Sequence, residues 1–149
     1  YGGALPADAE LARAVHTTGF VAADEVGAWL AAADACVVSM RDTIANRGRW
    51  PGKVNEYMTA GRATVMPEVG DAARLVSEHG AGIVCAPEPH SFARAIACVV
   101  KDDVVRSDAE RRAVELAVTT LAWNRIAAQL DAFYVTNGVR HVEPARASA

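Results

Sequence analysis

The chain has 149 residues, of which 52% are hydrophobic and 22% charged, and its formal net charge is −3. This is the length of one domain that buries its own core, so disorder throughout the chain is excluded. The acidic balance argues against a nucleic-acid partner. The sequence also lacks an uncharged apolar run of the roughly 18 residues that a transmembrane helix needs.

The cysteines and histidines indicate neither a disulfide framework nor a metal site. The three cysteines stand in apolar runs, at positions Cys36, Cys85 and Cys98. Because their number is odd and no Cys-x-x-Cys pair occurs, we expect reduced core thiols in a cytoplasmic protein. The four histidines are scattered along the chain. A zinc site needs clustered ligands, so no metal is expected.

The first quarter of the chain predicts two helices and a buried strand. Residues 6–10 start a short helix with early acidic residues, which favour the positive N-terminal end of a helix. Residues 15–21 are rich in strand-forming residues, with a glycine inside the run. Residues 24–33 have apolar side chains at helical spacing. Residues 34–39 are apolar and β-branched, which is typical of a buried parallel strand.

A polar segment interrupts this pattern. Residues 41–51 carry three arginines and show no periodicity, so we expect a long loop, and long loops in compact domains often carry function. Trp50 either packs this loop down or stacks on a ligand, and packing is favoured because tryptophan buries a large area. A helix is predicted over 53–60, with Gly61 in the usual C-terminal position, and a strand over 63–66.

The rest of the chain predicts one more strand, over 83–85, and four helices: 70–78, 91–100 with Ser91 as its cap, a helix from Asp102 onward, and 121–134. The last helix has an apolar stripe that includes Trp123 and Phe133. We expect this stripe, and Trp29, to lie in the core. Residues 136–149 are small and polar and are expected to form a flexible tail.

Strands and helices therefore alternate about four times. This order predicts an α/β fold, a Rossmann-like, doubly wound parallel sheet with helices on both faces. The chain begins with Tyr1-Gly-Gly, which has the character of a loop and contains no Met. We therefore expect the domain, over 1–135, to be incomplete on its N-terminal side.

The best candidate site follows the strand over 34–39, because ligands of open α/β sheets bind outside the carboxyl ends of strands. The loop there runs into a helix that begins Gly52-Lys53, and a helix start with these residues suits a phosphate. Glu56 lies one turn further on the same helix face, where its carboxylate can accept two hydrogen bonds from a ribose diol. Phosphate and ribose together indicate a nucleotide. The alternative is an i,i+3 salt bridge between Lys53 and Glu56 on a solvated helix.

Residues 46–65, NRGRWPGKVNEYMTAGRATV, carry a family resemblance. They resemble the Pro-x-Lys-x-x-Glu-Tyr-x-x-x-Gly-(Arg/Lys)-Pro signature of GT-B glycosyltransferases of family 4, the glycosyl transferases group 1 type. The matching residues are Pro51, Lys53, Glu56, Tyr57, Gly61 and Arg62, and Ala63 replaces the final proline. Segments 18–21, 69–71 and 123–134 resemble flanking parts of that family in the same order. The resemblance covers 1–135 and implies the C-terminal, donor-binding domain of a GT-B fold.

The resemblance implies a hexosyltransferase that moves a sugar from a nucleotide diphosphate sugar donor to a carbohydrate or other acceptor. Its family roles fall on Glu56 for the ribose, on Lys53, Gly52, Arg49 and Asn46 for the diphosphate, and on Phe20 and Val21 for the base. In that family the leaving diphosphate is stabilised electrostatically, without a metal or cofactor. In that family the acceptor is bound mainly by an N-terminal domain, which we expect to lie outside this chain. We therefore expect the chain alone to be inactive, and no catalytic residue is identified.

Three alternatives remain open. Many members of the family carry a second glutamate near the donor sugar, eight residues before the position of Glu56. Here that position is Gly48, which leaves a degenerate, inactive transferase domain possible. The second alternative is a UDP-sugar 2-epimerase, although the expected His/Glu set is not evident. The third is a non-catalytic nucleotide-binding or regulatory α/β module such as a receiver domain, although its acidic pocket is not visible.

Overall fold

A computed structural model describes residues 8–138 as three strands and eight helices. The strands are β1 (Cys36–Val37), β2 (Thr64–Pro67) and β3 (Gly82–Cys85). The helices are α1 (Ala9–Ala14), α2 (Val26–Ala31), α3 (Ile44–Arg47), α4 (Lys53–Thr59), α5 (Gly70–His79), α6 (Pro89–Lys101), α7 (Asp103–Thr119) and α8 (Trp123–Thr136). The predicted loop at Tyr1 and most of the predicted tail, from residue 139 on, lie outside the described residues.

The three strands form one parallel sheet in the order β1-β2-β3. Thr64 on the central strand is in register with Cys36 on one side and Gly82 on the other. A Cβ atom at Gly82 would lie 2.0 Å from the Thr64 carbonyl oxygen, so only glycine allows this approach of β2 and β3. Because the strands are parallel and joined through helices, the predicted α/β class is confirmed and all three carboxyl ends meet at one edge.

Helices cover both faces of the sheet, and each face has its own apolar cluster. On the first face, α4, α5 and α7 pack on the sheet through a cluster that consists of Val38, Val54, Met58, Met66, Ala72, Ala73, Val76, Ala81, Ala113 and Leu116. On the second face, α6 and the start of α7 contribute to a cluster of Ala63, Val65, Ala95, Val99 and Ala109. Side chains of β2 alternate between the two clusters because successive strand residues point to opposite faces.

Several local predictions are confirmed together with their physical cause. Asp8 caps α1 by accepting hydrogen bonds from the backbone N–H groups of residues 10 and 11, and Asp102 caps α7 in the same way. Helix α4 buries Val54 and Met58. Gly61 follows its C-cap with a φ of +65°, a conformation that favours glycine.

Other local predictions are wrong. Residues 15–21 form no strand, because strand-forming residues need a neighbouring strand to pair with, and among the described elements β1 pairs only with β2. The loop over 41–51 contains the single-turn helix α3. Helix α6 starts at Pro89 with Glu88 as its N-cap, two residues before the predicted start. Proline suits the first helical position because its missing N–H would be unpaired there.

Several residues expected in the core are exposed. Trp29 and Trp123 are 49% and 77% exposed, and no residue of α8 is buried. Cys98 is exposed as well, whereas Cys36 is buried and Cys85 half-buried, and all three thiols are free. Burial raises the pKa of the Cys36 thiol. No helix within residues 8–138 is both long and apolar enough to cross a membrane.

Candidate functional site

The loop after β1 is folded onto the carboxyl edge of the sheet. Within it, the Thr43 hydroxyl accepts a hydrogen bond from the Asn46 backbone N–H at 3.2 Å, and the Asn46 side-chain amide donates to the Arg41 carbonyl oxygen at 2.8 Å. Gly70, just after β2, has a φ of +75°, and a Cβ there would lie 2.8 Å from the Arg47 carbonyl oxygen. The backbone of α3 therefore rests on the start of α5, at the carboxyl end of the central strand.

One arginine of this loop is already bound to a carboxylate. The Arg47 guanidinium donates two hydrogen bonds to Asp42, from Nε at 2.6 Å and from an Nη atom at 2.8 Å. This hydrogen-bonded guanidinium holds the pKa of the Asp42 carboxyl below its ordinary value. Bidentate pairing of this kind fixes both side chains in one geometry. Arg47 therefore stabilises the conformation of the loop.

The loop leads directly into α4. Gly52 occupies the N-cap position and Lys53 is the first helical residue. The indole N–H of Trp50 donates a hydrogen bond to the Asn55 side-chain oxygen at 2.9 Å, which ties the end of the loop to α4. The ring itself stays 40% exposed, so the link is a hydrogen bond and not the burial that the sequence predicted. Because α4 has only seven residues, its helix dipole is short, and the side-chain charge of Lys53 is the main attraction for an anion.

The remaining charged side chains of this segment are unpaired. Within residues 8–138, Arg41, Arg49, Lys53 and Glu56 are exposed and make no side-chain hydrogen bond or ion pair. The salt bridge between Lys53 and Glu56, which their spacing permits, is not formed. Three free cations within one short segment of a protein with a net charge of −3 create a local positive field that attracts anions.

Phe20 and Val21, the predicted base-binding residues, lie in the segment before α2. Phe20 is fully exposed and belongs to a segment without helix or strand, so its ring is not packed against the loop or α4. Val21 is half-buried. Asn46, Arg49 and the α4 residues follow one another along one continuous segment, and the fully exposed Phe20 ring packs on none of them.

A cavity of about 400 Å³ opens at the same edge of the sheet. It is lined by residues 39–41 after β1, by Pro67 at the end of β2, by residues 86–89 after β3 and by Phe92 on α6. The sequence analysis did not identify Glu88 and Phe92 as site residues, because Glu88 lies between the predicted strand over 83–85 and the predicted helix over 91–100, and Phe92 lies inside that helix. The available signal was a charged residue placed directly after a parallel strand.

Arg62, which belongs to the family signature, holds the fold together. Its guanidinium donates to the carbonyl oxygens of Ala33 and Ala60, both at 3.3 Å, and pairs with Glu110 at 3.1 Å. Both charged side chains are about three-quarters buried. Arg62 thus links the end of α4 to the entrance of β1 and to α7, away from the free cations.

A comparison with protein-family models matches residues 2–102 to the family described as glycosyl transferases group 1. The matched region contains all three strands, the arginine-rich loop, α4 and the whole of α6. No curated protein is similar enough to the chain to extend this comparison. Since the match covers about two-thirds of the chain and the whole of its sheet, the chain belongs to the glycosyl transferases group 1 family.

Proposed function

We propose that this chain binds a nucleotide diphosphate sugar and serves as the donor-binding half of a GT-B hexosyltransferase. One observation carries this proposal. Lys53 and Glu56 lie one turn apart on the same helix and form no salt bridge, so a cation and a carboxylate stay available beside two further free arginines. A cation that attracts phosphate, beside a carboxylate that accepts hydrogen bonds from a ribose diol, matches the phosphate and the ribose of a nucleotide.

The cations suit a leaving diphosphate. Arg49 can donate a planar pair of hydrogen bonds to phosphate oxygens, while Lys53 acts as a compact point charge. As the bond between sugar and diphosphate breaks, negative charge grows on the diphosphate, and fixed positive charges stabilise that transition state. Gly52 and Asn46 complete the proposed diphosphate subsite. We infer that neither a metal nor a cofactor takes part.

Glu56 is proposed to anchor the ribose. An ionised carboxylate has two acceptor oxygens and can receive both hydroxyl hydrogens of a vicinal diol. Within the described residues its oxygens accept no hydrogen bond, so none would have to be broken when a nucleotide binds. The base is proposed to lie toward Phe20 and Val21. The acceptor, a carbohydrate or another glycosyl acceptor, would be bound by a further domain, so we expect this chain alone to show no transfer.

The experiment is a calorimetric titration of the chain with UDP, GDP, ADP and dTDP. We expect saturable binding of one nucleotide, which names the donor class. Glu56→Gln should weaken that binding about tenfold, because it removes charge-assisted hydrogen bonds. Since Glu56 is exposed, the variant should keep the circular dichroism spectrum and melting temperature of the wild type.

Glu115→Gln is the matched control, because Glu115 is an exposed carboxylate on α7, outside the loop and α4. Equal affinity of Glu56→Gln and Glu115→Gln would remove the ribose assignment. A folded chain that binds none of the four nucleotides would contradict the donor-site proposal. It would favour the degenerate transferase that Gly48, in place of a carboxylate, leaves open.

A further inference from the structure

We propose that the cavity at the carboxyl edge receives the sugar of the donor, with Glu88 as the acceptor for its hydroxyl groups and Phe92 as the apolar wall for its ring. This inference rests on the proposed function. It adds a subsite on the strand β3 side of the site, which the signature residues do not include.

The order of the polar groups along the chain supports this assignment. Glu56 lies one turn into α4, Lys53 begins the helix, and Arg49 lies in the loop before it. Asn46 extends this series away from α4. Its side-chain amide donates a hydrogen bond to the Arg41 carbonyl oxygen at 2.8 Å, and Arg41 lines the cavity. A donor molecule is linear, with ribose and sugar on opposite sides of the diphosphate. If Glu56 holds the ribose, the sugar is directed toward Arg41 and the cavity.

The walls of the cavity match a sugar ring. A hexose has flat faces of C–H groups and an edge of hydroxyl groups. Phe92, Met40 and three prolines supply apolar surface, while Arg41 and Glu88 supply one charge of each sign. The volume of about 400 Å³ lies within the roughly 300–1,000 Å³ of small-molecule sites. Such sites combine apolar walls with a few polar groups that fix orientation.

Glu88 has a fixed backbone and a free carboxylate. Its N–H donates to the Ala86 carbonyl oxygen at 2.7 Å, and its own carbonyl oxygen accepts from the Phe92 N–H at 3.0 Å. Although Glu88 is the N-cap residue of α6, its side chain makes no capping hydrogen bond. Within residues 8–138 it forms no ion pair either, not even with Arg41 across the cavity. The carboxylate therefore stays available for two sugar hydroxyls.

The test separates the sugar from the nucleotide. UDP, GDP, ADP and dTDP are each titrated beside their glucose, galactose and mannose conjugates, and the conjugate that the wild type binds most tightly is kept. Glu88→Gln should weaken the binding of this conjugate about tenfold. It should leave the affinity for the matching nucleoside diphosphate unchanged within about twofold, because the diphosphate and ribose groups do not contact Glu88. Glu115→Gln should change neither affinity.

Phe92→Leu is a second variant, which keeps an apolar side chain and removes the flat ring. It should weaken the conjugate several-fold and leave the nucleoside diphosphate unaffected. If neither variant affects the conjugate while the nucleotide still binds, the sugar subsite is wrong and the proposed function stands. If Glu88→Gln weakens the nucleoside diphosphate as much as its conjugate, the cavity holds the nucleotide and the sugar assignment is also wrong. If the wild type binds no nucleotide, both proposals are overturned.

Discussion

Arg47 and Arg49 lie two residues apart in the same loop, yet only Arg47 is bound to a carboxylate. The turn of α3 brings Arg47 back over Asp42, five residues earlier, while Arg49 lies beyond the C-cap of that helix. The sequence analysis predicted a functional loop with three arginines and assigned Arg49 to the diphosphate through the family resemblance. It could not tell which arginine was free, since that depends on a single-turn helix without a periodic pattern.

The pair of Asp42 and Arg47 predicts a pH dependence. Arg47 lowers the pKa of Asp42, so the ion pair supports the loop above the ordinary pKa of aspartate and is lost as the pH falls through the lowered pKa. Because Asp42 is exposed, the effect on global stability should be small. Arg47→Gln should return the pKa of Asp42 toward its ordinary value, which NMR titration of the side-chain carboxyl measures.

Asp108 provides the control for this titration. Its pKa is lowered by Arg111 and Arg112 on α7, and Arg47→Gln does not touch that cluster. An unchanged Asp42 pKa in the variant, with Asp108 also unchanged, would show that Arg47 does not control the charge of the loop.

Gly70 predicts a coupling between stability and the site. Gly70→Ala would force a side chain into a φ of +75° and push a Cβ to 2.8 Å from the Arg47 carbonyl oxygen. We expect a loss of about 1–3 kcal/mol in the free energy of unfolding, measured by urea denaturation. We also expect weaker nucleotide binding, because α3 would have to move.

Gly27→Ala is the matched substitution. Gly27 lies inside α2, and a Cβ there would meet nothing within 4 Å. This variant should be neutral or more stable by up to about 1 kcal/mol, since alanine favours helix. Similar destabilisation by both alanines would contradict the steric argument for Gly70.

At the scale of the elements, Arg62 joins parts of the chain that are far apart in sequence. Arg62→Met would leave the Glu110 carboxylate, three-quarters buried, without its cation. We expect a loss of about 1–3 kcal/mol in the free energy of unfolding, because an unpaired buried charge is costly. Thermal or urea unfolding measures this loss.

Arg74→Met is the comparison for that prediction. On α5, the Arg74 guanidinium lies 3.7 Å from the Glu78 carboxylate, and both side chains are more than half exposed. Exposed pairs of this kind contribute little, so we expect a change below about 0.5 kcal/mol. If Arg62→Met and Arg74→Met lose equal stability, the buried pair of Arg62 and Glu110 contributes no more to the free energy of unfolding than an exposed pair does, and the prediction is wrong.

The elements that the sequence predicted best have several independent local signals. Helix α7 starts at a capping aspartate, and α4 combines inward apolar spacing with a glycine at its end. Residues 15–21 had only strand-forming composition, and composition does not provide a pairing partner. The start of α6 was predicted late because Ser91 is a common cap. Here Ser91 instead accepts a hydrogen bond from Arg94 within the helix.

For the whole molecule, the apolar stripe of α8 is the largest difference between pattern and structure. Trp123, Leu130 and Phe133 are at least half exposed, although their spacing is typical of a helix that packs on a core. Periodicity identifies which side chains share a helix face. It does not determine whether another element lies against that face, and no described element buries it.

The sequence by itself determined the alternation of strands and helices, the parallel α/β sheet, the family resemblance and the segment that carries the cations. These properties depend on local patterns, such as β-branched runs, helical spacing and caps, which act over a few residues. Only the tertiary structure decided which charges are free and that the ends of three strands enclose a cavity with Glu88 and Phe92. Those features join residues about 50 positions apart, and their contacts are set by the register of the sheet and the close approach at Gly70 and Gly82, which no local pattern specifies.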